Sequence, residues 1–373
     1  MKNYGRTALS EFLSDRVVYR KLVPADPQLP GLDDLRSRLG IPDGGTPRKI
    51  EPDYARVIVA MLQAARRLDA PGSPIERLVY LGDTHMLDGT AFSNICHAGD
   101  WPGIAFIASE SIKEPPALVE QGTFMLANRW ALLADFERKC LEKGFPFDER
   151  TAVVIDLDKT AVGARGRNGQ VIDNARVQAV EQTVAELLGA AFDPQAFRWV
   201  YDHLNQPRYH PFTADNQDYL AYICLMLISG LFDAHAMIAE VDAGRMVSFE
   251  QFIALVESRS TNIDPRLKSI HAEILANVQA GDPTPFKPFR ANEYHNTIGR
   301  FGCLPDDAPI TELLSGEILI TQEVRQAALK WRSQGSALFG LSDKPDEAAL
   351  PDAKLAAAGY PALHQAITHS VGE

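Results

Sequence analysis

The sequence predicts an α/β fold of three layers, a Rossmann-like parallel sheet covered by helices on both faces, carrying a large helical insertion. Three observations predict it. Four short apolar runs rich in branched residues, RLVYLGD (77–83), GIAFIAS (103–109), TAVVIDLD (151–158) and SALFGLSD (336–343), each end in a small or acidic residue. Continuous apolar strands of this kind suit a parallel sheet buried on both sides. Helical spacing recurs between them, which is the strand–helix alternation of an open α/β sheet. Between 161 and 330 the pattern turns mainly helical.

Taken in order, PDYARVIVAMLQAARRL (52–68) starts with Pro52 at a first-turn position and continues with apolar residues at helical intervals. The strands at 77–83, 103–109 and 151–158 follow. The insertion then reads as helices at 176–189, 216–232 and 265–280, separated by AFDPQ, NQPRYHP and GDPTPFKP. Within it, Thr213 or Asp215 is the simplest N-cap for the helix that follows, and His210 and Asn216 are minor candidates for facing a ligand. A helix at 325–332 leads into the strand at 336–343. The expected domains are an α/β core, 1–160 with 331–373, and a helical cap-like domain, 161–330. A chain of 373 residues accommodates both.

Composition narrows the function. Hydrophobic content of 46% with 23% charged residues excludes disordered and fibrous classes. A net charge of −12 argues against nucleic acid as a partner, since a phosphate backbone needs a broad basic face. It leaves room for a small anionic substrate held by a few local cations. The N-terminal residues lack the apolar core of a signal peptide. The longest apolar stretch, 220–232, falls short of the roughly 20 residues that span a bilayer and reads as a buried helix. Cys96, Cys140, Cys224 and Cys303 form no Cys-x-x-Cys pair, which fits a reducing cytoplasm without a zinc cluster or disulfide framework. Oligomeric state is left open.

In a parallel sheet, ligands bind beyond the carboxyl ends of the strands. There VVIDLDKT delivers Asp156, Asp158 and Thr160, LGDTHMLD delivers Asp83 and Asp88, and LFGLSDKP delivers Ser342. Carboxylates gathered at one rim repel each other; unless a cation intervenes some must hold protons, and a hard divalent cation resolves the conflict. Mg²⁺ favours carboxylate oxygens together with water and substrate phosphate. Asp156 is placed to attack phosphorus, Asp158 to protonate the leaving oxygen, and Ser342 to donate to a phosphoryl oxygen, with a lysine balancing the charge. The carboxylates available to such an ion are Asp156, Asp158, Asp83 and Asp88.

These motifs resemble those of the haloacid dehalogenase superfamily. Its first motif, an apolar strand ending Asp-x-Asp-x-Thr, is similar to Asp156–Thr160. Its second, a strand ending in Ser or Thr, is similar to LFGLS with Ser342. Its metal motif resembles LGDTHMLD, followed by a helix, an Ala-Gly turn and the next strand. The third motif, a lysine at the start of the preceding helix, falls on Lys49; Lys344 is the competing candidate. The resemblance covers about half the chain and implies a Mg²⁺-dependent phosphatase with an aspartyl-phosphate intermediate, its cap domain between Asp158 and Ser342. It implies a metal set of Asp156, Asp83, Asp88 and the backbone carbonyl of Asp158. It also implies a circularly permuted order, because the lysine and metal motifs precede the nucleophile strand. Lys159 stands where many members carry a small residue. Alternatives on the same scaffold are a phosphotransferase, a phosphonatase or a non-catalytic binding protein.

GARGRNG (163–169) matches neither the dinucleotide fingerprint nor the Walker pattern. It is expected to form a flap with glycine pivots, from which Arg165 and Arg167 reach an anionic substrate. His85 reads as a supporting residue.

Overall fold

The computed structural model describes residues 1–373. Its strands are β1 (Lys2–Thr7), β2 (Val17–Val18), β3 (Arg77–Gly82), β4 (Gly103–Ala108), β5 (Leu118–Gln121), β6 (Phe124–Ala127), β7 (Thr151–Asp156), β8 (Ile320–Thr321), β9 (Ala337–Leu341) and β10 (Thr368–Gly372). Seven of them form one mixed sheet in the order β2-β9-β7-β3-β4-β6-β5, parallel except for the β5–β6 hairpin. A second, three-stranded sheet has the order β1-β10-β8. No helix is long and apolar enough to cross a membrane.

The chain divides into two compact units, Met1–Asn174 with Thr297–Glu373, and Ala175–Asn296. Residues 161–174 and 297–330, which the sequence assigned to the insertion, lie in the first unit. The second unit is helical and has its own core, built on the almost entirely buried helix Gln217–Ile228 together with Phe197, Phe249 and Phe252.

The strands alternate sides as a pleat requires. On one face Leu78, Tyr80, Ala152, Val154, Phe339 and Leu341 join a core with the helices Pro52–Asp69 and Leu87–Gly99. Helix Pro52–Asp69 forms because its apolar positions 54, 55, 58, 61, 62 and 65 stack into one stripe, and each buried Ile or Leu contributes roughly 1.5–3 kcal/mol. On the other face Phe106 meets Trp130 and Phe136 at ring separations of 6.2 and 5.2 Å, and helix Gln322–Ser333 packs against β9.

β3 connects to β4 on one side, whereas β7 connects to β9 on the other. The carboxyl ends of β3 and β7 therefore flank the point where the sheet switches direction, the crevice in which open α/β sheets place their ligands. The register puts Asp156 opposite Leu341 and Ile155 opposite Leu81, so residues 83, 156 and 342 emerge at one edge.

Two features lay outside the sequence analysis. The β5–β6 hairpin turns through Gly122, whose φ of +63° suits glycine. β1 pairs antiparallel with β10, Lys2 opposite Gly372, so strands from the two ends of the sequence share a sheet.

Candidate functional site

Lys49 lies at the centre of the site. It precedes helix Pro52–Asp69 and is buried, and its Nζ donates to Asp88 Oδ1 and Asp156 Oδ1, each at 2.6 Å. Ligand oxygens of Asp83, Asp88 and Asp156 lie within 4.8 Å of one another. Asp83 and Asp156 are placed by the ends of β3 and β7. Asp88 comes from the first turn of helix Leu87–Gly99, which folds back over Gly82. That return needs glycine: a Cβ on Gly82 would stand 2.6 Å from Asp88 Cβ.

Asp88 is saturated with donors. Oδ1 accepts from Lys49 and, at 3.2 Å, from the Tyr80 hydroxyl. Oδ2 accepts from the Asp83 and Thr84 amides at 3.0 and 2.9 Å and from the Thr84 hydroxyl at 3.1 Å. Asp156 has the Lys49 bond on one oxygen, and Asp83 Oδ2 accepts from Arg165 Nε at 2.5 Å.

The electrostatics follow. Burial pushes the Asp156 carboxyl well above the usual carboxylate range, against the pull of Lys49 and with the repulsion of Asp88 and Asp83. Burial also raises Asp83, helped by the Asp88 charge and opposed by Arg165, to about 6. Burial works against charge on Asp88 too, but Lys49 and the Thr84 amide overcome it and hold that carboxyl at about 2. Lys49 is desolvated, yet Asp156, Tyr80 and Asp88 lift its pKa well above the ordinary value. Three carboxylates thus face one buried ammonium and one partly exposed guanidinium. Fully ionised, the set lacks one positive charge, which a proton on Asp156 or a cation supplies, and its donor set is all oxygen, which suits a hard divalent cation.

Beyond Asp156 the chain turns sharply. Ala161 N bonds to Asp156 O at 3.2 Å and Val162 N to Leu157 O at 3.0 Å. The turn sets Lys159 at φ +64°, a left-handed conformation strained for any side chain. Lys159 Nζ reaches Asp173 Oδ1 at 2.8 Å. Ser342 donates to Asp158 Oδ2 at 3.2 Å and accepts from the Lys344 amide at 3.0 Å. Lys344 is buried beside Asp158 and Ser342, on the wall of a cavity. Lys49 is bonded to Asp156, and the Lys344 amide to Ser342. Thr160 is fully buried, with its hydroxyl unpartnered and its carbonyl accepting from the Thr321 hydroxyl.

Residues 163–169 form a pinned turn instead of the expected flap. The Arg165 carbonyl accepts from the Glu110 amide at 2.9 Å and from Trp130 Nε1 at 3.2 Å. Gly166 has φ +78°, and a Cβ there would meet Glu110 O at 2.0 Å. Arg167 is buried in ion pairs with Glu110 and Glu323 at 2.7 and 2.9 Å. Its guanidinium is thereby committed to holding the turn, while Arg165 projects onto Asp83. In the second unit the N-cap of helix Gln217–Ile228 is Asn216, not Thr213 or Asp215. Ala214 and Asp215 both adopt positive φ, and Asn216 caps the Asp218 amide at 2.9 Å. His210 pairs with Asp215 at 3.4 Å, and the exposed His85 ring packs edge-on to Phe124.

Tyr80 and Thr84 escaped the sequence analysis. Tyr80 shares a strand face with Leu78, and Thr84 directly follows Asp83, so the pleat and the turn were the available signals.

No family model, curated protein or solved structure matches this chain.

Proposed function

We propose that this chain is a Mg²⁺-dependent phosphomonoester hydrolase of the haloacid dehalogenase type, working through an aspartyl phosphate on Asp156. The observation that carries the reading is the Lys49 ammonium bonded to both Asp88 and Asp156 beside Asp83, three carboxylates drawn from separate elements and short of positive charge.

Asp83 and Asp156, with the freer oxygens, would hold the ion together with the Asp158 carbonyl, and Asp88 orients Lys49 and the Asp83 turn. The bound ion supplies positive charge to the carboxylates and to the phosphoryl oxygens. An Asp156 oxygen attacks phosphorus and the ester P–O bond breaks, while Asp158 in its acid form gives its proton to the departing oxygen. Lys49, which has a third N–H beyond its two carboxylate bonds, donates to a phosphoryl oxygen as charge builds there, while the single Ser342 proton goes to Asp158. Water then attacks phosphorus and gives its proton to the Asp158 carboxylate, and the bond to Asp156 breaks to release phosphate. The hydrogen bond from Ser342 ties the Asp158 carboxyl to the end of β9. The helical unit enters the chain between Asp158 and Ser342, the place of a cap domain in that family. A cytoplasmic enzyme accords with the free cysteines.

The test is hydrolysis of a phosphomonoester panel with Mg²⁺ and after chelation. Chelation is expected to abolish turnover, and Asp156→Asn to lower it by about 10³-fold or more, the usual cost of removing a covalent nucleophile. Turnover indifferent to metal, or retained in Asp156→Asn, overturns the proposal.

A further inference from the structure

Lys49 lies just ahead of helix Pro52–Asp69, and a second group of cations lies towards the other end of that helix, whose 18 residues span about 27 Å. Positions 56, 60, 63 and 67 are spaced four, three and four residues apart and so share one stripe of the helix. Two surface pockets border this stripe within the first unit, and both are lined by Gln63 and Arg67. They hold about 320 and 310 Å³, enough for a small ligand. Gln63, Arg66, Arg67 and Ser73 supply the polar side chains of the first, and Arg38, Arg56, Gln63 and Arg67 those of the second; the rest of both walls is apolar or glycine. No carboxylate lines either pocket, in a chain with 49 acidic and 37 basic side chains.

Arg66 makes this more than a basic patch. It is 3% exposed, its Nε is buried with no partner, and its one hydrogen bond runs from Nη2 to the Gly335 carbonyl at 2.9 Å. No carboxylate stands within 4 Å of it. Burial pulls its pKa below the ordinary arginine value, and Asp69, Glu149 and Asp148 oppose that only from farther off; Asp69 and Asp148 are themselves bonded to Arg16 and Arg77. Arg38 and Arg67 are exposed and have no carboxylate partner, whereas Arg56 is paired with Asp53. The carboxyl end of the helix offers roughly half a negative charge, too little to balance Arg66 and Arg67. A buried guanidinium without a counter-ion is unfavourable, and an oxyanion that meets its planar fork relieves it.

We propose that the joined pockets bind a small ligand bearing two phosphoryl groups, a diphosphate or a doubly phosphorylated metabolite, with one phosphoryl group held by Arg66 and Arg67 and the other drawn towards Arg38. Arginine forks match phosphate oxygens two at a time, and Ser73 and Gln63 add neutral donors on the same walls. The ligand is a free small molecule because the net charge of −12 repels nucleic acid and anionic membranes, while two local pockets still concentrate positive charge. The site lies away from the sheet edge and does not rest on the phosphatase reading.

The test is calorimetric titration of the full chain with pyrophosphate, orthophosphate and succinate in a buffer containing EDTA, so that no metal assists binding at the sheet edge. Pyrophosphate is expected to bind with a dissociation constant of about 0.1 mM or lower, and at least about tenfold more tightly than orthophosphate or succinate. Arg66→Met and Arg67→Gln are each expected to weaken pyrophosphate by at least about tenfold, as the loss of a charged hydrogen-bonding partner does. Arg38→Gln is expected to remove most of the advantage of pyrophosphate over orthophosphate. Asp83→Asn, at the sheet edge, is expected to bind pyrophosphate within about twofold of the wild type, which places the ligand on the helix. Arg67 is exposed, so Arg67→Gln decides the matter even if Arg66→Met fails to fold. Absence of pyrophosphate binding, or binding undiminished in Arg67→Gln, overturns the proposal. Succinate binding as tightly as pyrophosphate overturns the choice of phosphate, and tighter binding of a DNA oligonucleotide or of phosphatidylserine vesicles overturns the choice of a small free ligand.

Discussion

Two buried charge clusters, one in each unit, are built from the same residue types and end in opposite states. In the helical unit Arg290 pairs with both Asp218 and Glu293, the Phe286 amide donates to Asp218 at 3.1 Å, and Arg176 reaches Glu293 at 3.2 Å. Two carboxylates meet two guanidiniums there, and planar forks satisfy the buried oxygens. At the sheet edge, Asp83, Asp88 and Asp156 meet only Lys49 and the partly exposed Arg165. A balanced cluster holds a fold together. An unbalanced one is relieved by a proton, as the raised Asp83 and Asp156 carboxyls show, or by a cation, so burial alone does not distinguish the two clusters; the deficit does.

The largest expected effect breaks the balanced cluster. Arg290→Met leaves Asp218 and Glu293 buried without their main partner and is expected to cost about 3–5 kcal/mol, measured by urea unfolding. A loss below about 1 kcal/mol would mean that the two clusters do not differ as described.

Next comes the deficit itself. Mg²⁺ at a hundred times its dissociation constant is expected to stabilise the protein by about 2.7 kcal/mol. Asp218→Asn should keep that response and Asp83→Asn should lose most of it. The pH dependence has a definite sign. Asp83, raised in the fold to about 6, contributes stability that is complete below its ordinary value of 3.8 and is lost as pH rises through about 6. A cation favours the ionised form, so the Mg²⁺-induced rise in Tm should grow between pH 5 and pH 7. A flat or falling response would separate the deficit from metal binding.

The smallest effect concerns backbone strain. The balanced cluster draws Asp218, Arg290 and Glu293 from regular helices, whereas the sheet-edge site adjoins a left-handed Lys159. Lys159→Gly is expected to relieve that conformation and stabilise by up to ~1 kcal/mol, partly offset by the flexibility glycine adds to the unfolded chain and by the lost pair with Asp173. Destabilisation by more than that would show that the turn is held by the Lys159 side chain.

The carboxylates at the strand ends were legible because covalent spacing alone puts Asp83, Asp156 and Ser342 just past apolar runs. Lys49 was singled out in the sequence only by a resemblance of motifs, since nothing local distinguishes it from a surface lysine; the folded chain shows it buried between Asp88 and Asp156. Arg165 and Arg167 looked equivalent from their two-residue spacing. Their difference comes from Glu110 and Glu323, which only the folded chain brings together. The second sheet was illegible for a related reason. β1 shows a largely exposed pattern and pairs with β10, hundreds of residues away, and β8 has two residues. Asn216 was missed as the N-cap because three polar residues compete within four positions, and the choice is made by two successive left-handed residues before it.

Gly82 gives the site an unusual kind of fragility. A charge lost elsewhere in the cluster can be compensated by a neighbouring side chain or by an ion from solution. A single methyl group at position 82 can be compensated by neither, because it would occupy the ground on which Asp88 stands. Displacing Asp88 removes one of the two anchors of Lys49, so the lysine would swing and Asp156 would lose its alignment without any change in the formal charge of the protein. Drift in this centre is thus bounded by shape before it is bounded by electrostatics, and variants selected for altered chemistry should keep that hydrogen atom while the acids and bases around it change.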